Sequence, residues 1–361
     1  MNWPAHGSNP QYLYEAAGLE QPDEMIDFSA NINPFGPPSK LKEQWGDLLH
    51  GIEKYPDPQT TLLKKKLAGR EGIEENQILI GNGGAEVISL IGRLLTGKRV
   101  MIVEPAFSEY EQACKVNSCE ISYFQLSRDW KVDIELLAKK LWNVDALFFC
   151  NPNNPTGLYF HKQITENLLT LCKEHNCYLI VDEAFYDFVP EYESLVPYLK
   201  SYPNLILLRS MTKIYAIPGL RLGYVMASAE IIERLSNYQP HWSVNSIAMK
   251  VGELCLEEDE YVQHTVQFIE SQREHLYEFY RKNQFEVSNS KVNFYLLRDS
   301  SFIDQYPLFQ FLLKNGIVPR HTFNFPGLKG RWLRFAVRTS QENQRLMEVM
   351  LKWRRIHRSF S

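Results

Sequence analysis

The stretch Tyr178-Leu-Ile-Val-Asp182-Glu-Ala-Phe185 is an apolar run that ends in an acid. A short apolar run of this kind reads as a buried strand. In an open α/β sheet the ligand lies beyond the carboxyl ends of the strands, so Asp182 is placed to point at one. A carboxylate buried there needs a partner, and a protonated pyridine nitrogen would serve.

The pattern repeats on either side. Upstream, Asp145-Ala-Leu-Phe-Phe-Cys150 runs into Asn151-Pro-Asn-Asn154-Pro-Thr-Gly157, a rigid turn at another carboxyl end. Further upstream, Gln77-Ile-Leu-Ile80 leads through Gly81-Asn-Gly-Gly-Ala85 into a helical run from about Glu86 to Leu95. Downstream, Leu205-Ile-Leu-Leu208 leads into Ser210-Met-Thr-Lys213, with Arg221 eight positions later in Ile217-Pro-Gly-Leu-Arg221-Leu-Gly223. With Val100–Val103, Ile121–Phe124 and Leu222–Val225, these runs alternate with helical patterns from about Gln77 to Met226. Such alternation predicts an α/β fold with a mostly parallel sheet and helices on both faces.

Helical patterns dominate from Ala229 to Asn283, the second part being one long helix from near Glu260. Then come a strand over 293–297, a helix around 308–315, a strand over 331–337 and a last helix from Gln341. The expected division is an N-terminal segment 1–45 serving the small domain and the substrate site, a large domain 46–240, and a long helix with a small α+β domain over 241–361.

The chemistry follows from residue types. A lysine amine condenses with a carbonyl when its surroundings keep it an amine. Ser210 and Arg221 are suited to a phosphate, the arginine in a charge-assisted, bidentate way. Glycines before a helix let backbone N–H groups approach an anion. The Asn154 amide can donate to a phenolate oxygen.

Taken in order, the Gly-rich loop, Phe107, NPNNPTG, DEAF, SMTK and the distal arginine resemble the fold-type-I pyridoxal-phosphate enzymes of the class I/II aminotransferase-like branch. The resemblance runs from Asp27 to about Arg338. It implies pyridoxal 5'-phosphate as cofactor, with Lys213 as the Schiff-base lysine and Asp182 facing the ring nitrogen. It also implies that Asn154 bonds O3′, that Phe107 stacks on the ring, and that Gly84, Ala85, Ser210 and Arg221 hold the phosphate. Tyr55, in Lys54-Tyr-Pro-Asp57, looks like the tyrosine that reaches that phosphate from a neighbouring subunit, which implies a homodimer with shared active sites. Arg334 looks like the substrate-anion arginine of the small domain.

Three features narrow the branch. His6-Gly-Ser-Asn9 precedes Asp27-Phe-Ser-Ala-Asn31-Ile-Asn33-Pro; Phe185 stands where most aminotransferases of this branch carry a tyrosine; and Gly316-Ile-Val-Pro-Arg320 adds a second arginine to Arg334. Tyr186 is not expected to replace that tyrosine, because adjacent residues of an extended segment point to opposite faces. These features look most like the threonine-phosphate decarboxylases of cobalamin biosynthesis. The neighbouring histidinol-phosphate aminotransferases share the paired arginines. The resemblance implies decarboxylation of L-threonine O-3-phosphate, or else transamination of a related phosphorylated substrate, with His6, Asn31, Asn154, Arg320 and Arg334 binding it. Two departures stand out: Ser8 replaces the second glycine of the family's HGG pattern, and Ala85 replaces a loop threonine, leaving one hydroxyl fewer at the phosphate.

Composition agrees. The 361 residues are 44% hydrophobic and 13% aromatic, enough for a large core. A net charge of −4 and the absence of a basic DNA-binding segment argue against nucleic acid, a polybasic membrane surface and a regulator role. The basic run Lys352-Trp-Arg-Arg-Ile-His-Arg358 reads as the end of an amphipathic helix with its charges in solvent. The N-terminus lacks the charged start and apolar core of a secretory signal, and no run is long enough to cross a membrane. Six cysteines without CxxC spacing read as reduced packing residues of a cytoplasmic protein with no metal site.

Overall fold

The computed structural model describes residues 3–4 and 6–357; Met1, Asn2, Ala5 and the tail from Arg358, the last residue of the basic run, lie outside it. After a two-residue strand β1 (Ile26–Asp27), the chain lays down β2 (Ile78–Gly81), β3 (Arg99–Glu104), β4 (Glu120–Gln125), β5 (Ala146–Cys150), β6 (Tyr178–Asp182), β7 (Leu205–Ser210) and β8 (Gly223–Met226). It then adds β9 (Phe285–Val287), β10 (Phe294–Asp299), β11 (Ile317–Val318), β12 (Arg320–His321) and β13 (Leu333–Ala336).

Strands β2 to β8 form one seven-stranded sheet among the described residues, in the order β2-β8-β7-β6-β5-β3-β4. All its pairs are parallel except those of β8, which runs antiparallel to both β2 and β7. Strands β5 and β7 are buried along their whole length and β6 along all but its first residue, which is why they begin as apolar runs. Edge strand β4 is largely exposed, with only Phe124 buried. From β3 the chain first moves outward to β4 and then returns to place β5 on the other side of β3. That reversal opens a crevice between the carboxyl ends of β3 and β5, the usual ligand position of an open α/β sheet. Phe107 follows β3 there, and Asn154 follows β5.

A second sheet, β12-β13-β10-β9, is antiparallel. The N-terminal segment is stitched to this part of the molecule: β1 pairs with β11, Phe28 N–H donates to Val318 O, and Ala336 N–H donates to Phe28 O. The helix Asp259–Lys282 buries Thr265, Ile269, Leu276 and Tyr280 along one stripe, as helical periodicity requires. None of the described helices is long and apolar enough to cross a membrane.

The basic run needs correction. The last helix spans Ser340–His357, but Arg354 is not in solvent. Its Nη1 lies 2.8 Å from Asp299 Oδ2, and its Nε and Nη2 donate to the carbonyls of Asn283 and Gln284. Those carbonyls lie at the end of the long helix, where a guanidinium is favoured by the helix dipole.

Candidate active site

A cavity of about 400 Å³ opens at the carboxyl ends of the parallel strands. One end is a cradle. The helix Gly83–Leu94 begins straight after β2, so its first N–H groups face the cavity where Gly84 and Ala85 line it. Gly83 has φ +80°, and a Cβ there would lie 2.6 Å from Arg221 Nη2. Gly223 pairs with both Gly81 and Ser210, and a Cβ on it would come within 2.8 Å of Gly84 N. The two glycines therefore let the loop close around the Arg221 guanidinium. Ser210 Oγ sits 2.8 Å from Thr212 Oγ1, and both residues line the wall.

Lys213 follows β7 into the centre of the cavity. Burial, with Arg221 and Arg334 nearby, lowers its amine to about 8, which raises the share of nucleophilic free base at neutral pH far above that of a solvated lysine. Asp182 ends β6. Its Oδ2 accepts from Tyr110 Oη at 2.5 Å and its Oδ1 from Ala184 N–H at 2.9 Å. Burial pushes its pKa up, with those donors and the Lys213 charge opposing. A cationic ring N–H is the complement such a carboxylate lacks.

At the other end stand two arginines. Arg334 Nη1 donates to Asn154 Oδ1 at 2.6 Å and Nη2 to Ser29 O at 2.9 Å. The first contact fixes the Asn154 amide by taking its oxygen, which leaves the Nδ2 donors for a ligand. Arg320 is fully buried, with Nη1 2.7 Å from His321 Nε2 and Nη2 donating to Asn324 Oδ1 at 3.0 Å. Burial lowers His321 to about 2, so it is a neutral acceptor. Burial also lowers Arg320 to about 10 and, with help from Arg320, Arg334 to about 9: both would gain from a bound anion. Asn31 Oδ1 and Arg334 Nε are buried here with no partner among the described residues. Asn31 is held in the wall because Asn33 N–H donates to Lys213 O and Asn33 Nδ2 to Ile214 O, Tyr261 Oη and Thr265 Oγ1.

Phe107 and His6 form the remaining wall, their ring centroids 5.7 Å apart. His6 Nε2 lies 2.9 Å from Glu109 Oε1. Phe185 lines the cavity, whereas Tyr186 begins a 3-10 turn and packs its ring under Arg209 at 3.9 Å. The segment is thus not extended as the sequence reading assumed. Tyr55 is apart from the cavity of its own chain: it is 84% exposed and touches Trp242, itself half exposed. The other candidate cofactor- and substrate-binding residues named from the sequence all line this cavity.

Sequence reasoning missed Tyr110 and Glu109, which lie on the helix Ser108–Val116, and gave Thr212 no role. Their only signal was proximity to Phe107 and Lys213. Pyridoxal phosphate fits this residue set. The glycine-lined cradle and Arg221 suit its phosphate, the lowered Lys213 amine its aldehyde, and Asp182 its ring nitrogen. Arg320 and Arg334, two buried guanidiniums in one cavity, suit a second anion.

Comparison with known proteins agrees. The family model "Aminotransferase class I and II" matches residues 23–350. A threonine-phosphate decarboxylase of Salmonella typhimurium is 37% identical over 350 residues, covering 96% of this chain and 95% of its own. Among solved structures, a histidinol-phosphate aminotransferase from Clostridium acetobutylicum superposes with a TM-score of 0.85 at 30% identity, covering 90% of this chain and 98% of its own. An L-threonine-O-3-phosphate decarboxylase from Porphyromonas gingivalis gives 0.79 at 26% identity, with the same coverage.

Proposed function

The chain belongs to the class I and II aminotransferase family, and within it we propose that it is a pyridoxal-phosphate-dependent decarboxylase acting on L-threonine O-3-phosphate. The products are (R)-1-amino-2-propanol O-2-phosphate and CO2, a step of cobalamin biosynthesis. The observation that carries the phosphorylated substrate is a second buried cationic centre, Arg320 with Arg334, in the same cavity as the Arg221 cradle, and the 37% identity to a threonine-phosphate decarboxylase favours decarboxylation over the aminotransferases that share the pair. It suits a substrate that brings a phosphate of its own.

When bound, pyridoxal phosphate supplies an electron sink for the bond broken at the substrate's Cα. The chain's residues do the rest. Lys213 would hold the aldehyde, Phe107 would cover the ring, and Gly84, Ala85, Ser210 and Arg221 would hold the cofactor phosphate. Asp182 would keep a proton on the ring nitrogen, and Asn154, its oxygen taken by Arg334, would offer Nδ2 to the ring oxygen. Arg320 and Arg334 take the substrate phosphate, with Asn31 and His6 beside them. Engaged this way, the two guanidiniums do not clamp the α-carboxylate in the ring plane. The carboxylate would then be left unclamped, free to take the orientation that breaking its bond to Cα requires. Lys213 Nζ, once exchanged for the substrate amine, would supply the proton that replaces CO2 at Cα.

The reading extends to a cytoplasmic homodimer in which Tyr55 reaches the phosphate site of the neighbouring subunit. Its exposure and its distance from its own cavity suit that role. Transamination of a phosphorylated substrate is the second reading, favoured by the fold's likeness to the histidinol-phosphate aminotransferase. Product analysis with each substrate, with and without a 2-oxo acid, separates the two.

A further inference from the structure

We propose that Arg209 and Glu183 are a positioning pair that fixes the spacing between Asp182 and Ser210, and so the affinity of the site for its cofactor; the proposal rests on the pyridoxal-phosphate reading above. Arg209 and Glu183 are the chain neighbours of Ser210 and Asp182; Arg209 also borders the cavity, but its guanidinium is taken up by Glu183, Glu71 and Ser194, none of which lines it. Asp182 and Ser210 line the cavity at the ends of β6 and β7. Behind them, Arg209 Nε donates to Glu183 Oε2 at 2.7 Å.

That bond lies where the two strands part. Their pairing ends at Asp182 opposite Leu208, followed by the backbone bond from Glu183 N–H to Leu208 O at 2.8 Å. Past it, one chain turns into the 3-10 segment Tyr186–Phe188 and the other into the Lys213 turn. The Arg209–Glu183 bond is therefore a side-chain rivet at the point where the ladder no longer sets the distance between a ring-nitrogen acceptor and a phosphate donor.

The rivet is rigid. Both side chains are buried, and Glu183 Oε1 accepts from Tyr192 Oη at 2.5 Å. Arg209 Nη2 donates to Ser194 Oγ at 3.2 Å, and the guanidinium carbon lies 3.9 Å from the centre of the Tyr186 ring. A buried ion pair gives little net stability, since apolar residues of the same size serve as well, but its fork geometry tolerates little movement. A second arm of the same guanidinium supplies an internal control. Arg209 Nη1 lies 2.7 Å from Glu71 Oε2, but Glu71 ends the helix Thr61–Glu71 and does not join β6 to β7.

The test compares Glu183→Gln with Glu71→Gln in full-length protein, reading the dissociation constant of pyridoxal phosphate by absorbance titration of the cofactor-free form, together with its melting temperature. A positioning role predicts that Glu183→Gln weakens cofactor binding by roughly tenfold or more, as loss of a charged hydrogen bond allows. Glu71→Gln should stay within about threefold even if it melts as low. Equal weakening in both variants, or none in Glu183→Gln, overturns the proposal. If Glu183→Gln does not fold, Arg209→Lys carries the same expectation, because it keeps the charge and loses the fork. Wild-type protein that takes up no pyridoxal phosphate would instead overturn the cofactor reading beneath it.

Discussion

Arg320 and Arg334 are direct partners across the antiparallel pair β12–β13, and both guanidiniums reach the same cavity. Like charges opposite each other across a sheet are destabilising unless something lies between them. A substrate phosphate would turn that repulsion into shared binding.

Arg320→Ala should therefore raise KM for L-threonine O-3-phosphate by about a hundredfold, the scale of a charge-assisted contact pair. The dissociation constant for pyridoxal phosphate should change by less than about threefold, because the cradle at Arg221 is untouched. Comparable losses in both would remove the phosphate site from Arg320.

Lys213 carries a pH prediction. Its amine titrates at about 8 in the folded protein, against 10.5 for the unconstrained side chain. Between those values the unfolded chain binds a proton that the folded chain does not, so stability rises with pH there, and the penalty is fully present below 8. Cofactor-free Lys213→Met should thus be more stable than the cofactor-free parent at pH 7, by up to about 3 kcal/mol. The advantage should vanish near pH 10.5. Thermal melts across pH check this; a variant that melts lower at pH 7 contradicts it. The same variant should be inactive.

Tyr110→Phe removes the hydroxyl that donates to Asp182 Oδ2. That donor holds the carboxyl down against burial, so its loss pushes the Asp182 pKa further up. The acid limb of the kcat profile should move to higher pH, with a loss of roughly tenfold or more on the acid side that recovers as pH rises. A uniform loss at every pH would mean that Tyr110 only packs.

The shared-site reading makes a mixing prediction. Tyr55→Ala and Lys213→Met proteins, each impaired alone, should regain activity when their subunits are exchanged. In the mixed dimer one site receives Lys213 from one chain and Tyr55 from the other. No recovery after demonstrated exchange would place Tyr55 outside the site.

Much of this was legible in the sequence for a physical reason. Strands buried on both faces must be apolar throughout, so a polar residue at the end of such a run, Asp182 or Ser210, marks the edge where ligands bind. What was hidden depends on contacts between distant segments. Tyr110 looks like any helical tyrosine until β3 and β6 bring it to Asp182. Arg354 looks like a solvent charge until the last helix lies against Asp299 and the end of the long helix. Glu183 and Arg209 are 26 residues apart and pair only because β6 and β7 are neighbours. The Phe185–Tyr186 segment gave the right exclusion from an incorrect geometry, since a 3-10 turn, and not extended backbone, carries Tyr186 away from the cavity.

The central claim is that the phosphate of the substrate occupies the arginine pair and leaves the carboxylate free to depart. Its most direct test is CO2 release from L-threonine O-3-phosphate by the cofactor-loaded protein with no 2-oxo acid present, run beside histidinol phosphate with 2-oxoglutarate. The account predicts stoichiometric CO2 and aminopropanol phosphate in the first assay and no glutamate in the second. Glutamate without CO2 would contradict it and make the chain an aminotransferase.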